Sequence, residues 1–169
     1  MSCDPENAAD QIKSGIWIGG IRALVDHAVL DNMDYVISIV ELDRIPEPIY
    51  DLCIEGRPCL RVTVVDGDVT LVDHLPRIAR FISTHVHPDR DILIHCMAGR
   101  SRSAIALAYY MVTRMGYPTL DDALDKITSR RPSVSPKHEL IHATQAYLDR
   151  TWYAKTPRSP TAPRIHKNK

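Results

Sequence analysis

The chain holds only four cysteines, Cys3, Cys53, Cys59 and Cys96, and no two of them are spaced CxxC. No His–Cys set has the spacing of a zinc site, so neither a structural metal nor a disulfide framework is expected. A Cys53–Cys59 bridge fits the short interval but not a reducing compartment. No apolar run is long enough to cross a bilayer, which excludes a membrane-spanning helix. The opening MSCDPENAADQ is acidic and polar and is read as neither a signal nor a transit peptide. Net charge is absent too, at +0 for 169 residues. The charge is unevenly spread: the last sixteen residues, AKTPRSPTAPRIHKNK, hold five Lys or Arg and no acid, leaving a mildly acidic body. That distribution lacks the basic footprint of a nucleic-acid binder. The expected compartment is the cytoplasm or the nucleus, with the basic tail read as solvated.

What the chain does have is an ordinary globular composition, with 44% hydrophobic and 25% charged residues. One domain is expected over residues 12–153, between a flexible stretch at 1–11 and a disordered, proline-containing basic tail at 154–169. GIWIGG (15–20) reads as a strand running into a glycine turn. IRALVDHAVLDNM (21–33) has helical spacing, and YVISIV (35–40) reads as a strand. The proline-broken DRIPEPIYD (43–51) predicts a loop. LRVTVVD (60–66) predicts a strand, and 71–86 a helix with Pro76 in the first turn of its main part. DILIHC (91–96) predicts a buried strand, followed by helices over 102–116, 119–131 and 135–153. Thr119 with Asp122 forms a capping-box-like start. Ser135 and Pro136 read as the N-cap and first residue of the last helix. The alternation predicts an α/β domain with a mixed, mostly parallel central sheet covered by helices on both faces.

The chemistry concentrates in HCMAGRSRS (95–103), between the apolar runs ILI and AIALAYYMV. A strand, loop and helix in that order place a ligand at the strand's carboxyl end and the helix's amino end. The helix end offers unpaired N–H groups and a positive dipole end. Gly99 permits a tight turn, so that the amides of Met97, Ala98, Gly99, Arg100, Ser101 and Arg102 can surround a tetrahedral oxyanion. Arg102 adds a planar, permanently charged fork. Cys96 lies on the floor of this cradle, where the field that binds phosphate also favours a thiolate. A thiolate beneath a phosphoryl group is placed for in-line attack through a phosphocysteine. Ser103 is positioned to stabilise the departing thiolate, and His95 to orient the loop by hydrogen bonds. Reading Cys96 as an inert core residue gives no reason for Gly99, Arg102 and Ser103 to share its loop.

This loop matches HCxxGxxR[ST], and the chain resembles the dual-specificity branch of the protein tyrosine phosphatases over residues 12–150. GIWIGG, AYYM (109–112) and RRPSVSP (130–136) resemble further elements of that branch, in the right order. The resemblance implies that fold, no cofactor or metal, and hydrolysis of phosphotyrosine and phosphoserine or phosphothreonine in a phosphorylated protein. It also implies a general acid upstream of the loop, and VVDGDVT places Asp66 there, with Asp68 second and Asp73 as a more distant possibility. Two departures stand out. Lys137 occupies the place of an asparagine that usually bonds the signature loop. Arg100 stands where many protein-directed members carry an apolar residue, a feature shared with a lipid-directed relative. The alternatives are the same chemistry on a phospholipid, inositol phosphate or RNA 5′ phosphate, and a binding module that holds phosphoproteins without cleaving them. The second is disfavoured because Cys96, Arg102 and Asp66 are all present.

Overall fold

The computed structural model describes residues 8–41 and 43–156. Five strands form one sheet in the order β1-β2-β5-β3-β4. They are β1 (Ala9–Lys13), β2 (Ile16–Gly19), β3 (Tyr35–Ile39), β4 (Cys59–Val62) and β5 (Ile92–His95). Only β1 runs antiparallel, to β2; the β2–β5, β5–β3 and β3–β4 pairs are parallel. The mixed, mostly parallel sheet expected from the alternation is therefore the observed one.

The apolar runs explain the order. Every residue of β3 and β5 is buried, as parallel strands covered on both faces must be. The side chains nevertheless alternate. Ile92 and Ile94 join one core with Ile37 and Ile39, and Leu93 joins the other with Val36. The first core is closed by α3 (Leu71–His85), α4 (Arg102–Met115), α5 (Leu120–Arg130) and α6 (His138–Leu148). The second lies under a 3-10 turn (Ile21–Leu24), α1 (His27–Leu30) and α2 (Glu47–Ile54). Helix α4 is buried from Arg102 to Thr113 and ends at Gly116, whose φ of 78° is the left-handed conformation that glycine adopts without strain. Thr119 caps α5 as expected: its Oγ1 accepts the Asp122 N–H at 3.0 Å and donates to Asp122 Oδ2 at 2.6 Å.

Several boundaries differ from the sequence reading. Ala9–Gln11, expected to be flexible, belong to β1, a polar edge strand in which only Ala9 and Ile12 turn inward. The single helix expected over 21–33 is interrupted at Asp26, whose extended backbone (ψ 99°) and carboxylate bond to the Ala28 N–H start a new helix instead. The loop expected over 43–51 contains the start of α2. Its prolines sit at the N-cap and in the first turn, where a missing N–H is tolerated. Pro76 lies in the interior of α3 rather than in a first turn. Strand β4 ends at Val62, not at Asp66, so Asp66 sits four residues into a loop. The last helix starts at His138 rather than after Ser135, and ends in a wider turn over Asp149–Tyr153. The tail expected at 154–169 falls outside the described residues from 157 onward.

Because β2, β3, β4 and β5 are parallel, their carboxyl ends share one edge of the sheet. Gly20, Glu41, the 63–70 loop and Cys96 all emerge there, which is where open α/β sheets bind ligands.

Candidate active site

The loop between β5 and α4 is held from outside through its carbonyls. Ile21 N–H donates to Met97 O at 2.8 Å, and Ser135 N–H to Arg100 O at 2.9 Å. Arg131 donates through Nη2 to Ala98 O at 3.4 Å and through Nε to Gly99 O at 3.0 Å. In a trans peptide the N–H of the next residue points opposite to the carbonyl. Four carbonyls turned outward therefore turn the N–H groups of Ala98, Gly99, Arg100 and Ser101 toward the inside of the loop. That is the geometry of a backbone anion nest.

Close packing makes the curvature possible. Gly99 has φ +67°, and a Cβ on it would stand 2.5 Å from Gly19 C and 2.7 Å from Gly20 N. The two glycines that close GIWIGG thus let β2 and the loop touch backbone to backbone. Arg131, 2% exposed, is anchored in turn by Asp10 Oδ2 at 2.6 Å from its Nη1. A residue of the edge strand β1 therefore braces the loop through a buried arginine.

Inside the loop, Cys96 is 2% exposed, and its Sγ lies 3.3 Å from Ser103 Oγ. Fully buried His95 donates from Nδ1 to Cys96 O at 3.2 Å. Burial drives its pKa down and the nearby Arg102 charge adds to the effect. Both outweigh the hydrogen bond to Cys96 and leave the imidazole at about 4, neutral at physiological pH.

Arg102 is fixed from one side. Its Nη1 donates to Glu41 Oε2 at 2.9 Å and to Val64 O at 2.6 Å. Burial pushes the Glu41 carboxyl up. The hydrogen bond to Arg102, the backbone N–H of Glu41, the Arg102 charge and the Asp66 N–H outweigh it and hold the carboxyl below its ordinary range. Glu41 thus remains an anion behind the guanidinium. Arg102 Nε has no hydrogen-bond partner, and neither does Asp66 Oδ1; the two buried atoms stand 3.8 Å apart. Asp66 Oδ2 lies 3.5 Å from Lys137 Nζ. Buried polar atoms without partners are expensive in a folded protein, and such a pair is where a ligand would supply the missing bonds.

The structure thus gathers Cys96, Ser103, Arg102, His95 and Asp66. Asp68 is exposed, its carboxylate accepting the Thr70 N–H at 2.9 Å, with its pKa lowered by the Thr70 hydrogen bonds. Asp73 lies exposed in the first turn of α3. Met97 is half-buried against the second core, while Ala98 and Arg100 are exposed at the loop tip. Glu41 and Asp10 were not singled out from the sequence, and Arg131 entered only as part of RRPSVSP, with no role of its own. The signal for Glu41 was faint, an acid directly after the apolar run YVISIV. Among the described residues no cluster of His, Cys, Asp or Glu could hold a metal, and no helix is long and apolar enough to cross a membrane.

A mostly parallel sheet whose central strand feeds an HCxxGxxRS loop into a buried helix is the protein tyrosine phosphatase fold. The family model for the dual specificity phosphatase catalytic domain matches residues 21–149, and the chain belongs to that family. The tyrosine-protein phosphatase YVH1 of Saccharomyces cerevisiae is 27% identical over 152 residues, covering 78% of this chain and 41% of the relative. The human dual specificity protein phosphatase 8 is 38% identical over 141 residues, covering 81% of this chain and 21% of the relative. The chain therefore spans less than half the length of either relative. The crystal structure of human DUSP28 superposes with a TM-score of 0.72 at 22% identity, covering 85% of this chain and 94% of that one, a likeness of fold.

Two outcomes follow from the bracing. Asp10→Ala leaves buried Arg131 without its carboxylate and is expected to lower stability by about 1–3 kcal/mol, read as the midpoint shift in urea unfolding. An unchanged midpoint would mean that β1 does not brace the loop. His95 binds its proton more weakly folded than unfolded, where it titrates near ~6.5. The unfolded state therefore takes up more protons as pH falls, so stability is full above that value and declines toward about 4. His95→Asn should flatten the dependence of Tm on pH across that window, whereas parallel slopes for both proteins would contradict a buried neutral imidazole.

Proposed function

We propose that the chain is a cysteine-dependent protein phosphatase of dual specificity, hydrolysing phosphotyrosine and phosphoserine or phosphothreonine through a phosphocysteine. The observation that carries this reading is the set of inward amides around buried Cys96, with Arg102 Nε left without a hydrogen-bond partner. The family supports it, since its members' names are those of tyrosine and dual-specificity protein phosphatases.

In the first step the Cys96 thiolate forms a bond to phosphorus as the bond to the leaving oxygen breaks. The loop N–H groups and the Arg102 fork take the non-bridging oxygens, whose charge they stabilise most in the transition state. Asp66 gives its proton to the leaving oxygen, so the peptide hydroxyl departs neutral. In the second step Asp66, now a carboxylate, takes a proton from water. The water oxygen bonds to phosphorus, the P–S bond breaks and inorganic phosphate leaves. Ser103, 3.3 Å from the sulfur, donates to the returning thiolate. Neutral His95 takes no proton in this scheme; it holds the Cys96 carbonyl. Asp66 rather than Asp68 is assigned as the acid because Asp68 is committed to capping Thr70. The thiolate must stay reduced, and we assign the cytoplasm or nucleus as the compartment on that ground.

The test is turnover on phosphotyrosine and phosphothreonine peptides and on an activated aryl phosphate. Cys96→Ser should abolish turnover yet retain phosphopeptide binding, and near wild-type turnover would sink the covalent route. Asp66→Asn should slow phosphopeptides by about 10²–10⁴-fold, with a smaller effect on the activated ester, whose leaving group needs no proton. Asp68→Asn should change little; if it is the crippled variant, the proton comes from Asp68.

A further inference from the structure

Lys137 carries two separate contacts to the site, one through its backbone and one through its side chain. Its N–H donates to Ser101 Oγ at 3.1 Å, and its carbonyl accepts two N–H groups from the first turn of α6, those of Leu140 at 3.0 Å and Ile141 at 3.2 Å. Its backbone is therefore fixed between the signature loop and the helix. From that base the side chain crosses to the 63–70 loop. A Cβ built on Gly67 would stand 3.1 Å from Lys137 Cδ, so the aliphatic stem lies against bare glycine backbone. The ammonium ends 3.5 Å from Asp66 Oδ2. Gly67 has φ +89°, so the loop turns sharply at this contact, in a conformation that glycine favours.

The backbone bond to Ser101 is available to almost any residue at position 137. The side-chain contacts belong to lysine. Three groups face Asp66: the ammonium of Lys137, Arg102 Nε at 3.8 Å, and Glu41 Oε1, which accepts the Asp66 N–H at 3.4 Å. Arg102 and the Glu41 carboxylate are both engaged in holding the phosphate fork. Lys137 reaches the other carboxyl oxygen, Oδ2, from the segment that leads into α6.

We infer that Lys137 is a positioning residue for Asp66, clamping the 63–70 loop against the signature loop so that the carboxyl is aimed at the leaving oxygen. The inference rests on the reading of Asp66 as the general acid. The ammonium gives Oδ2 of the Asp66 carboxyl group a neighbour outside its own loop, while Oδ1 lies 3.8 Å from Arg102 Nε, so the group is oriented from both sides. Lys137 is half-exposed, so the effect is that of a partly screened ion pair and not of a buried one.

The variants separate stem from charge. Lys137→Met keeps a flexible apolar stem against Gly67 and removes the ammonium, whereas Lys137→Arg keeps both. Lys137→Met should lower kcat on a phosphothreonine peptide about fivefold, the reach of such a pair. KM on that peptide and kcat on an activated aryl phosphate should stay as in the wild type. Lys137→Arg should restore the peptide kcat. An equal loss on both substrates would assign Lys137 to the signature loop alone, and no loss on either would remove it from the mechanism; both outcomes overturn the inference. Asp66→Asn measured alongside separates the two levels. If Asp66→Asn leaves the peptide rate intact, the acid assignment itself fails. If it cripples the peptide rate while Lys137→Met does not, only the clamp fails.

Discussion

The site depends on the outward hold on four carbonyls, those of Met97, Ala98, Gly99 and Arg100. Each is bound by a donor from elsewhere in the chain: Ile21 after β2, Arg131 after α5, and Ser135 before α6. Without those donors the loop would have no reason to keep its amides on one side, because a short loop left to itself satisfies carbonyls and amides equally from water. The bonds also explain the assembly of the fold around the loop. The glycines ending β2 permit backbone contact, Asp10 on β1 neutralises Arg131, and α6 begins three residues after Ser135 because the preceding backbone is committed to the loop.

A second layer is electrostatic. Glu41, Arg102, Asp66 and Lys137 form a chain of alternating charge, with contacts of 2.9 Å, 3.8 Å and 3.5 Å. The short, largely buried contact at the Glu41 end fixes the guanidinium before any substrate arrives, so less reorganisation is left for the reaction. The longer contacts lie nearer solvent, at the loop that carries Asp66.

The nine residues HCMAGRSRS were legible because their pattern is local: cysteine, turn glycine, arginine and serine lie within one strand–loop–helix unit. The central strands were legible too, since YVISI and ILIH are buried on both faces and read as unbroken apolar runs. Strand β1 was not, because an antiparallel edge strand needs only Ala9 and Ile12 inward and otherwise looks like polar tail. Asp66 was preferred to Asp68 as the end of the strand LRVTVV, but β4 stops at Val62, and it is the following loop that brings Asp66 to 3.8 Å from Arg102. Helix α2 was hidden by prolines that begin a helix as readily as they break one. Glu41, Arg131 and Asp10 act across 61, 32 and 121 positions of sequence, and no local pattern encodes such pairs.

The central claim is that phosphate passes through Cys96. It is tested most directly by quenching turnover of a phosphopeptide with acid within the first cycle and mapping any phosphoryl group by peptide mass. The account predicts one phosphoryl group on the peptide that contains Cys96, absent without substrate. Full turnover with Cys96 never phosphorylated, or with the phosphoryl group found on Ser103, would contradict it.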